Sequence, residues 1–170
     1  GRLHVLVDSL IVAEAALEAG APTLQVRLKS GTDADRYRLA ALVAERCRAA
    51  AATCLVNDRA DLAVAIEADG VHVGSDDLPV PAVRRIVGPH ALVGGTARDP
   101  DLARRLVDEG VSYLGVGPTF ATSSKTGLPI LRSPGSPCPG LPTVWSEPDV
   151  SFRGDFHLPK SRSRLGSRIS

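Results

Sequence analysis

Six short apolar runs, each leading into an Ala/Arg/Leu-rich stretch of helical composition, govern what this chain can fold into. Residues 4–8 (HVLVD) precede a helical pattern around 13–18, and residues 23–29 (TLQVRLK) precede one over 34–51. Residues 53–56 (TCLV) lead into 59–67, 70–74 (GVHVG) into 79–87, and 91–94 (ALVG) into 100–109, while 112–117 (SYLGVG) come last. Strict alternation of strand and helix, with helices long enough to act as crossovers, requires a parallel sheet with right-handed connections. A repeat of roughly 20 to 25 residues suits either a (β/α)8 barrel or a doubly wound sheet.

The polar residues separate these two. Asp8, Arg27 with Lys29, Asn57 with Asp58, residues 75–77 (SDD), Thr96 and residues 118–127 all fall at or just beyond the C-terminal ends of successive runs. A barrel brings all six positions to one mouth, where barrel enzymes keep their active sites. An open sheet focuses ligands at a single switch point and does not need every strand to contribute. The barrel is therefore the expected architecture.

Composition excludes several function classes. With 170 residues and 44% apolar content the chain is long enough to bury a core. A formal net charge of +1, with no run of basic residues, gives no nucleic-acid footprint, so any phosphate recognition must be local. Cys47, Cys54 and Cys138 form an odd set without metal-ligand or CxxC spacing and read as reduced thiols. No apolar run is long enough to span a bilayer, and no basic segment followed by an apolar one opens the chain, which starts at Gly1 as a trimmed chain would. These features point to a cytoplasmic protein without a membrane partner.

Each polar position also has a plainer reading. Either Asn57 or Asp58 caps a helix beginning near Arg59, and either Asp76 or Asp77 caps one with Pro79 in its first turn, or these side chains serve a site. Arg27 and Lys29 alternate with Val26 and Leu28 and so share one strand face. In a parallel strand flanked by helices, two inward cations are costly unless a ligand or counter-ion meets them. His72, alone in the middle of GVHVG, reads as a packed or hydrogen-bonded residue.

The polar set has a chemical logic. Cations at one strand end, a Gly/Ser/Thr/Lys loop after another and two separated acidic sites are what a magnesium-bound diphosphate requires. Mg²⁺ takes oxygen ligands from one or two carboxylates, substrate phosphates and water, and Asp58 and Asp77 are the candidate ligands. The loop 119–127 (TFATSSKTG) offers hydroxyls, backbone N–H groups and the Lys125 ammonium to neutralise a departing phosphate.

Five motifs then stand in order: QVRLK (25–29), NDRADLA (57–63), ADGVHVGSDDLP (68–79), VGGTARD (93–99) and YLGVGPTFATSSKTG (113–127). Together, over residues 1–128, they closely resemble the thiamine phosphate synthase/TenI superfamily, and within it the synthases. The resemblance implies a TIM barrel, here truncated to about six βα units. It implies a transferase of thiamine biosynthesis that uses Mg²⁺ to join hydroxymethylpyrimidine diphosphate to thiazole phosphate, releasing pyrophosphate. Gln25, Arg27, Lys29 and Asn57 would then hold the pyrimidine diphosphate, and Asp58 and Asp77 would ligate Mg²⁺. Thr96 stands near the pyrimidine, where the family usually has Ser. Thr122, Ser124 and Lys125 would contact phosphates, with Arg27 and Lys125 as the catalytic cations. The family's chemistry is dissociative and needs no protein nucleophile, which suits a sequence lacking a Ser/His/Asp arrangement. The family often has Glu where Leu28 lies, and strand alternation points Leu28 away from the site. Family members are commonly oligomeric, so a homo-oligomer is expected.

The likeness stops near residue 128. Residues 1–128 hold 22 alanines and residues 129–170 none, while Pro and Ser number 15 in that tail. Residues 129–170 lack helical period or a βα unit and are expected to stay largely without regular structure. The composition is what an out-of-frame reading of a GC-rich coding sequence gives. With the last two βα units missing, the first and sixth strands are expected to be open edges and turnover to be weak or absent. Two other readings share the fold: a TenI-like thiazole tautomerase, which needs no pyrophosphate leaving group, and a non-catalytic remnant that binds phosphate ligands.

Overall fold

The computed structural model of the chain describes residues 3–116 and the backbone of Val144–Ser146. Strands β1 (His4–Val7), β2 (Thr23–Val26), β3 (Thr53–Asn57), β4 (Gly70–Val73), β5 (Leu92–Ala97) and β6 (Tyr113–Val116) alternate with helices. These are α1 (Leu10–Glu18), α2 (Asp33–Ala49), α3 (Ala60–Ala65), α4 (Val80–Val87) and α5 (Pro100–Asp108). Every neighbouring pair of strands is parallel, and strand order follows chain order without reversal. A doubly wound sheet reverses its order at the switch point, so this is the barrel arrangement. Its curl shows in one contact. β1 and β6 are five strand spacings apart, about 24 Å in a flat sheet, yet the rings of His4 and Tyr113 have centroids 5.8 Å apart.

The two faces of the sheet differ in chemistry because side chains alternate across each strand. Val7, Leu24, Val26, Cys54, Val56, Val71, Val73, Val93 and Leu114 form the outer face, buried with Ala13, Ala40, Val43, Ala44, Cys47, Ala60, Val80 and Val83 of the helix layer. Alanine on the helices admits close approach to the Val-rich strands, and this layer is the core. The inner face carries His4, Gln25, Asn57, His72, Thr96 and Tyr113. Cys47 and Cys54 are free thiols buried in the outer layer; Cys138 lies outside the described residues.

Helix starts are set by side-chain caps at three places. Ser9 Oγ accepts from the Val12 N–H, Thr32 and Asp35 form a reciprocal capping box on α2, and Asp99 accepts from the Leu102 N–H with Pro100 in the first turn of α5. α3 and α4 begin at Arg59 and Pro79 with no side-chain cap. The capping reading of Asn57, Asp58, Asp76 and Asp77 is thereby set aside. At the opposite end of the sheet Arg84 ties α4 to two loops, donating to the carbonyls of Ala91 at 2.6 Å and Gly110 at 2.8 Å and to Ser112 Oγ at 3.2 Å.

Three details depart from the sequence expectation. β2 ends at Val26, so Arg27 and Lys29 stand beyond the strand and not on its face. β5 runs on to Ala97, which puts Thr96 inside a strand. Finally, Val144–Ser146 form a three-residue strand, β7, parallel to β6, where the sixth strand was expected to be an open edge. Val144 and Trp145 are strand-forming residue types, and the free hydrogen-bonding edge of β6 gives them a partner. The sixth strand is therefore not an edge; among the described residues the edges are β1 and β7. No helix among these residues is long and apolar enough to cross a membrane.

Candidate active site

The C-terminal ends of β2, β3 and β4 build one polar rim. Gln25, on β2, is only 4% exposed and is the buried polar residue of the described core. Its side-chain Nε2 donates to Asn57 Oδ1 at 2.5 Å, across the β2–β3 pair. Asn57 closes β3. Asp58 adopts a left-handed backbone, φ 64°. Its N–H donates to the His72 carbonyl at 2.8 Å, while the Arg59 N–H donates back to the Asn57 carbonyl at 2.8 Å. This tight reversal turns Asp58 toward the end of β4, where Asp77 lies. Asp77 is itself oriented, since its Oδ2 accepts from the Gly74 N–H at 2.7 Å.

The Asp77 carboxylate neighbours that of Asp58. The Asp58 carboxyl is pushed up to about 6, first by loss of solvent and then by the neighbouring Asp77, while Arg27 and Asn57 pull it the other way. Two carboxylates that repel each other beside a cation-lined space could hold a divalent cation. Among the described residues no three His, Cys, Asp or Glu side chains gather as a complete metal cage. Mg²⁺ does not need one, because it retains water and takes phosphate oxygens alongside one or two carboxylates.

Next to this pair opens a cavity of about 380 Å³ between the ends of β2 and β3 and the helices α2 and α3. Arg27, Lys29, Arg36 and Arg59 line it, with Asn57 and Asp58. Asp33 accepts from Arg59 at 2.7 Å and from Arg36 at 3.1 Å, and Asp61 holds the other side of Arg59 at 2.7 Å. These guanidiniums hold the Asp33 carboxyl below the usual range. Leu28 also lines this cavity, whereas alternation had pointed it away from the site; past the end of β2 the strand's alternation no longer applies.

Of the residues singled out from sequence, Gln25, Arg27, Lys29, Asn57, Asp58 and Asp77 come together at this rim. Thr96 sits deeper, on the inner face of β5, bonded to His72 Nε2 at 2.9 Å. Thr122, Ser124 and Lys125 lie outside the described residues. Sequence reasoning did not single out Arg36 or Arg59, nor Tyr113, and it read His72 as a packed or hydrogen-bonded residue. The signal for the last two was the glycine at 94, whose meaning emerges only from strand register.

A sequentially wound parallel sheet, curled so that its strand ends form a polar rim, defines a protein of the β/α barrel class. The profile described as thiamine monophosphate synthase (TMP-TENI) matches residues 4–135, and the chain belongs to that family. It is 47% identical to the thiamine-phosphate synthase of Salinispora tropica over 138 residues, 76% of this chain and 66% of that protein. It is 39% identical to the thiamine-phosphate synthase of Salinibacter ruber, over 79% of this chain and 63% of that one. The solved thiamine phosphate pyrophosphorylase of Pyrococcus furiosus superposes with a TM-score of 0.67 at 30% identity, covering 70% of this chain and 61% of its own. The chain thus spans just under two thirds of the length of these relatives.

Proposed function

We propose that this chain carries the diphosphate half-site of a thiamine phosphate synthase, the transferase that joins hydroxymethylpyrimidine diphosphate to thiazole phosphate and releases pyrophosphate. The observation that carries the reading is the meeting of the Asp58–Asp77 pair with Arg27, Lys29 and Asn57 at one rim. Asp58 and Asp77 would hold Mg²⁺, which when bound supplies positive charge to the diphosphate oxygens. Arg27 and Lys29 add charge from the β2 side, with Lys125, Thr122 and Ser124 assigned to the phosphates from the loop after β6. Gln25 fixes the Asn57 amide, and Thr96 faces the pyrimidine.

In this reading the bond between the pyrimidine's methylene carbon and the diphosphate oxygen breaks first, and its electron pair leaves with pyrophosphate. The thiazole nitrogen then donates its lone pair to that carbon. The protein's part is to stabilise the leaving group and hold the nucleophile close, with no covalent intermediate on a side chain. The intact Arg27, Lys29, Asn57, Asp58 and Asp77 set favours this over a tautomerase, which has no diphosphate to expel. Residues 129–170 are read as an out-of-frame ending; if no other frame of the coding locus encodes a Gly-rich βαβ ending, that part fails.

A pyrophosphate-release assay tests the function. The 170-residue chain is compared with a version whose C-terminal βα units are restored. Mg²⁺-dependent release by the restored version, and much weaker release by the chain itself, is expected; no release by the restored version contradicts the reading.

A further inference from the structure

Beneath the rim lies a group of inward-facing side chains that diphosphate binding does not use. Strand register sets Asn57, His72, Gly94 and Tyr113 side by side on one rung of the sheet. Gly94 separates His72 from Tyr113, and a Cβ there would overlap both the Tyr113 ring and His72 Nδ1. With no side chain at 94, the two rings meet over the β5 backbone: the Tyr113 hydroxyl lies 3.0 Å from Nδ1, with ring centroids 5.5 Å apart. A Cβ on Gly115 would press on the imidazole at 3.3 Å from the β6 side. The other imidazole nitrogen, Nε2, is 2.9 Å from Thr96 Oγ1. Two strands, β5 and β6, thus leave space for, and bond to, one orientation of one imidazole.

We propose that His72 is a positioning residue: as its neutral Nε2–H tautomer it holds the Thr96 hydroxyl so that the hydroxyl hydrogen faces the mouth and donates to a nitrogen of the heteroaromatic ring bound there. This rests on the reading above that Thr96 faces the pyrimidine. The tautomer follows from hydrogen-bond accounting. Tyr113 is 5% exposed, and its hydroxyl must place its hydrogen on a partner. Nδ1 is that partner, so Nδ1 accepts and the imidazole hydrogen resides on Nε2. Nε2–H then donates to Thr96 Oγ1, and the Thr96 hydrogen, barred from the imidazole, points to the ligand. His4, whose ring centroid lies 5.8 Å from that of Tyr113, extends the same polar floor.

Two measurements decide it. NMR of the chain labelled with ¹⁵N-histidine, the His72 signals being assigned by their loss in His72→Gln, reads the tautomer directly. A protonated Nε2 with an unprotonated Nδ1 supports the proposal, and the reverse overturns it. Calorimetry with hydroxymethylpyrimidine diphosphate and Mg²⁺ then compares variants of matched thermal stability. The Gln side-chain nitrogen reaches the place of Nε2 and the Asn nitrogen does not. His72→Gln should therefore stay within about threefold of the parent, while His72→Asn and Thr96→Ala each weaken binding by about tenfold, the worth of one hydrogen bond. The double variant His72→Asn/Thr96→Ala should be no weaker than Thr96→Ala alone. Equal losses in the Gln and Asn variants, or additive losses in the double variant, overturn the proposal. Inorganic pyrophosphate, titrated in parallel, should bind all variants alike. Failure of pyrophosphate to bind the parent chain sinks the diphosphate reading instead, and the NMR result still decides the tautomer.

Discussion

At Asp58 backbone strain and charge act on the same residue. A left-handed φ on a non-glycine residue costs roughly 1 kcal/mol or more, and the carboxyl is pushed up to about 6 by loss of solvent and by Asp77. The folded-state value lies above the unfolded one of about 3.9, so the penalty is absent below about pH 4 and complete above about pH 6. Without metal, the protein should therefore lose stability relative to Asp58→Asn as pH rises through that window. Thermal melts of both proteins in chelator across the acid range check this; parallel curves contradict it. Added Mg²⁺ should raise the melting temperature of the parent and leave Asp58→Asn little changed. Legibility differed sharply between residues here. Asn57, Asp58 and Asp77 stood out in the sequence because short polar side chains directly after apolar runs have few uses, and the structure removes the capping alternative. His72 and Tyr113 did not stand out, because a single histidine in a strand has many uses and their meeting depends on an absent side chain on the strand between them.

Elements were legible where the hydrophobic period changes from two to 3.6, which it does five times before residue 110. Their ends were not. Past Val26 the sequence still alternates through Lys29, but the ladder ends with the bond from the Arg27 N–H to the Val7 carbonyl, and pairing rather than pattern ends a strand. Likewise Gly94 and Gly95 read as a strand end, whereas both are paired within β5, and Gly94 makes room for His72 and Tyr113. Gly94→Ala should thus cost about 3 kcal/mol or prevent folding through overpacking against Tyr113 and His72; a melting temperature equal to the parent's would refute the close approach. Arg84 makes the second element-scale prediction. Its guanidinium bonds the carbonyls of Ala91 and Gly110 and the Ser112 hydroxyl, joining α4 to the loops that feed β5 and β6. Arg84→Ala should destabilise by about 2 kcal/mol, and Arg84→Lys should recover little, because an ammonium cannot bridge divergent acceptors as a planar fork does. Denaturant titration of both variants measures this, and full recovery by Lys rules it out.

Over the whole molecule, sequential parallel pairing and the His4–Tyr113 contact make the sheet curl, and the curl is what draws residues from β2, β3 and β4 to one rim. The sequence supplied the alternation and the polar strand ends, which suffice for the class of architecture. It did not supply β7, because three residues amid prolines carry no period and owe their strand to the edge offered by β6. If these distant residues converge on one metal-bridged diphosphate, as proposed, substrate binding must depend on the metal. Isothermal titration of the 170-residue chain with hydroxymethylpyrimidine diphosphate, in Mg²⁺ and in chelator, tests it most directly. Binding that requires Mg²⁺ and falls by about 100-fold or more in Asp58→Asn/Asp77→Asn is the predicted result. Equal affinity in chelator, or a double variant that binds as the parent does, would contradict it.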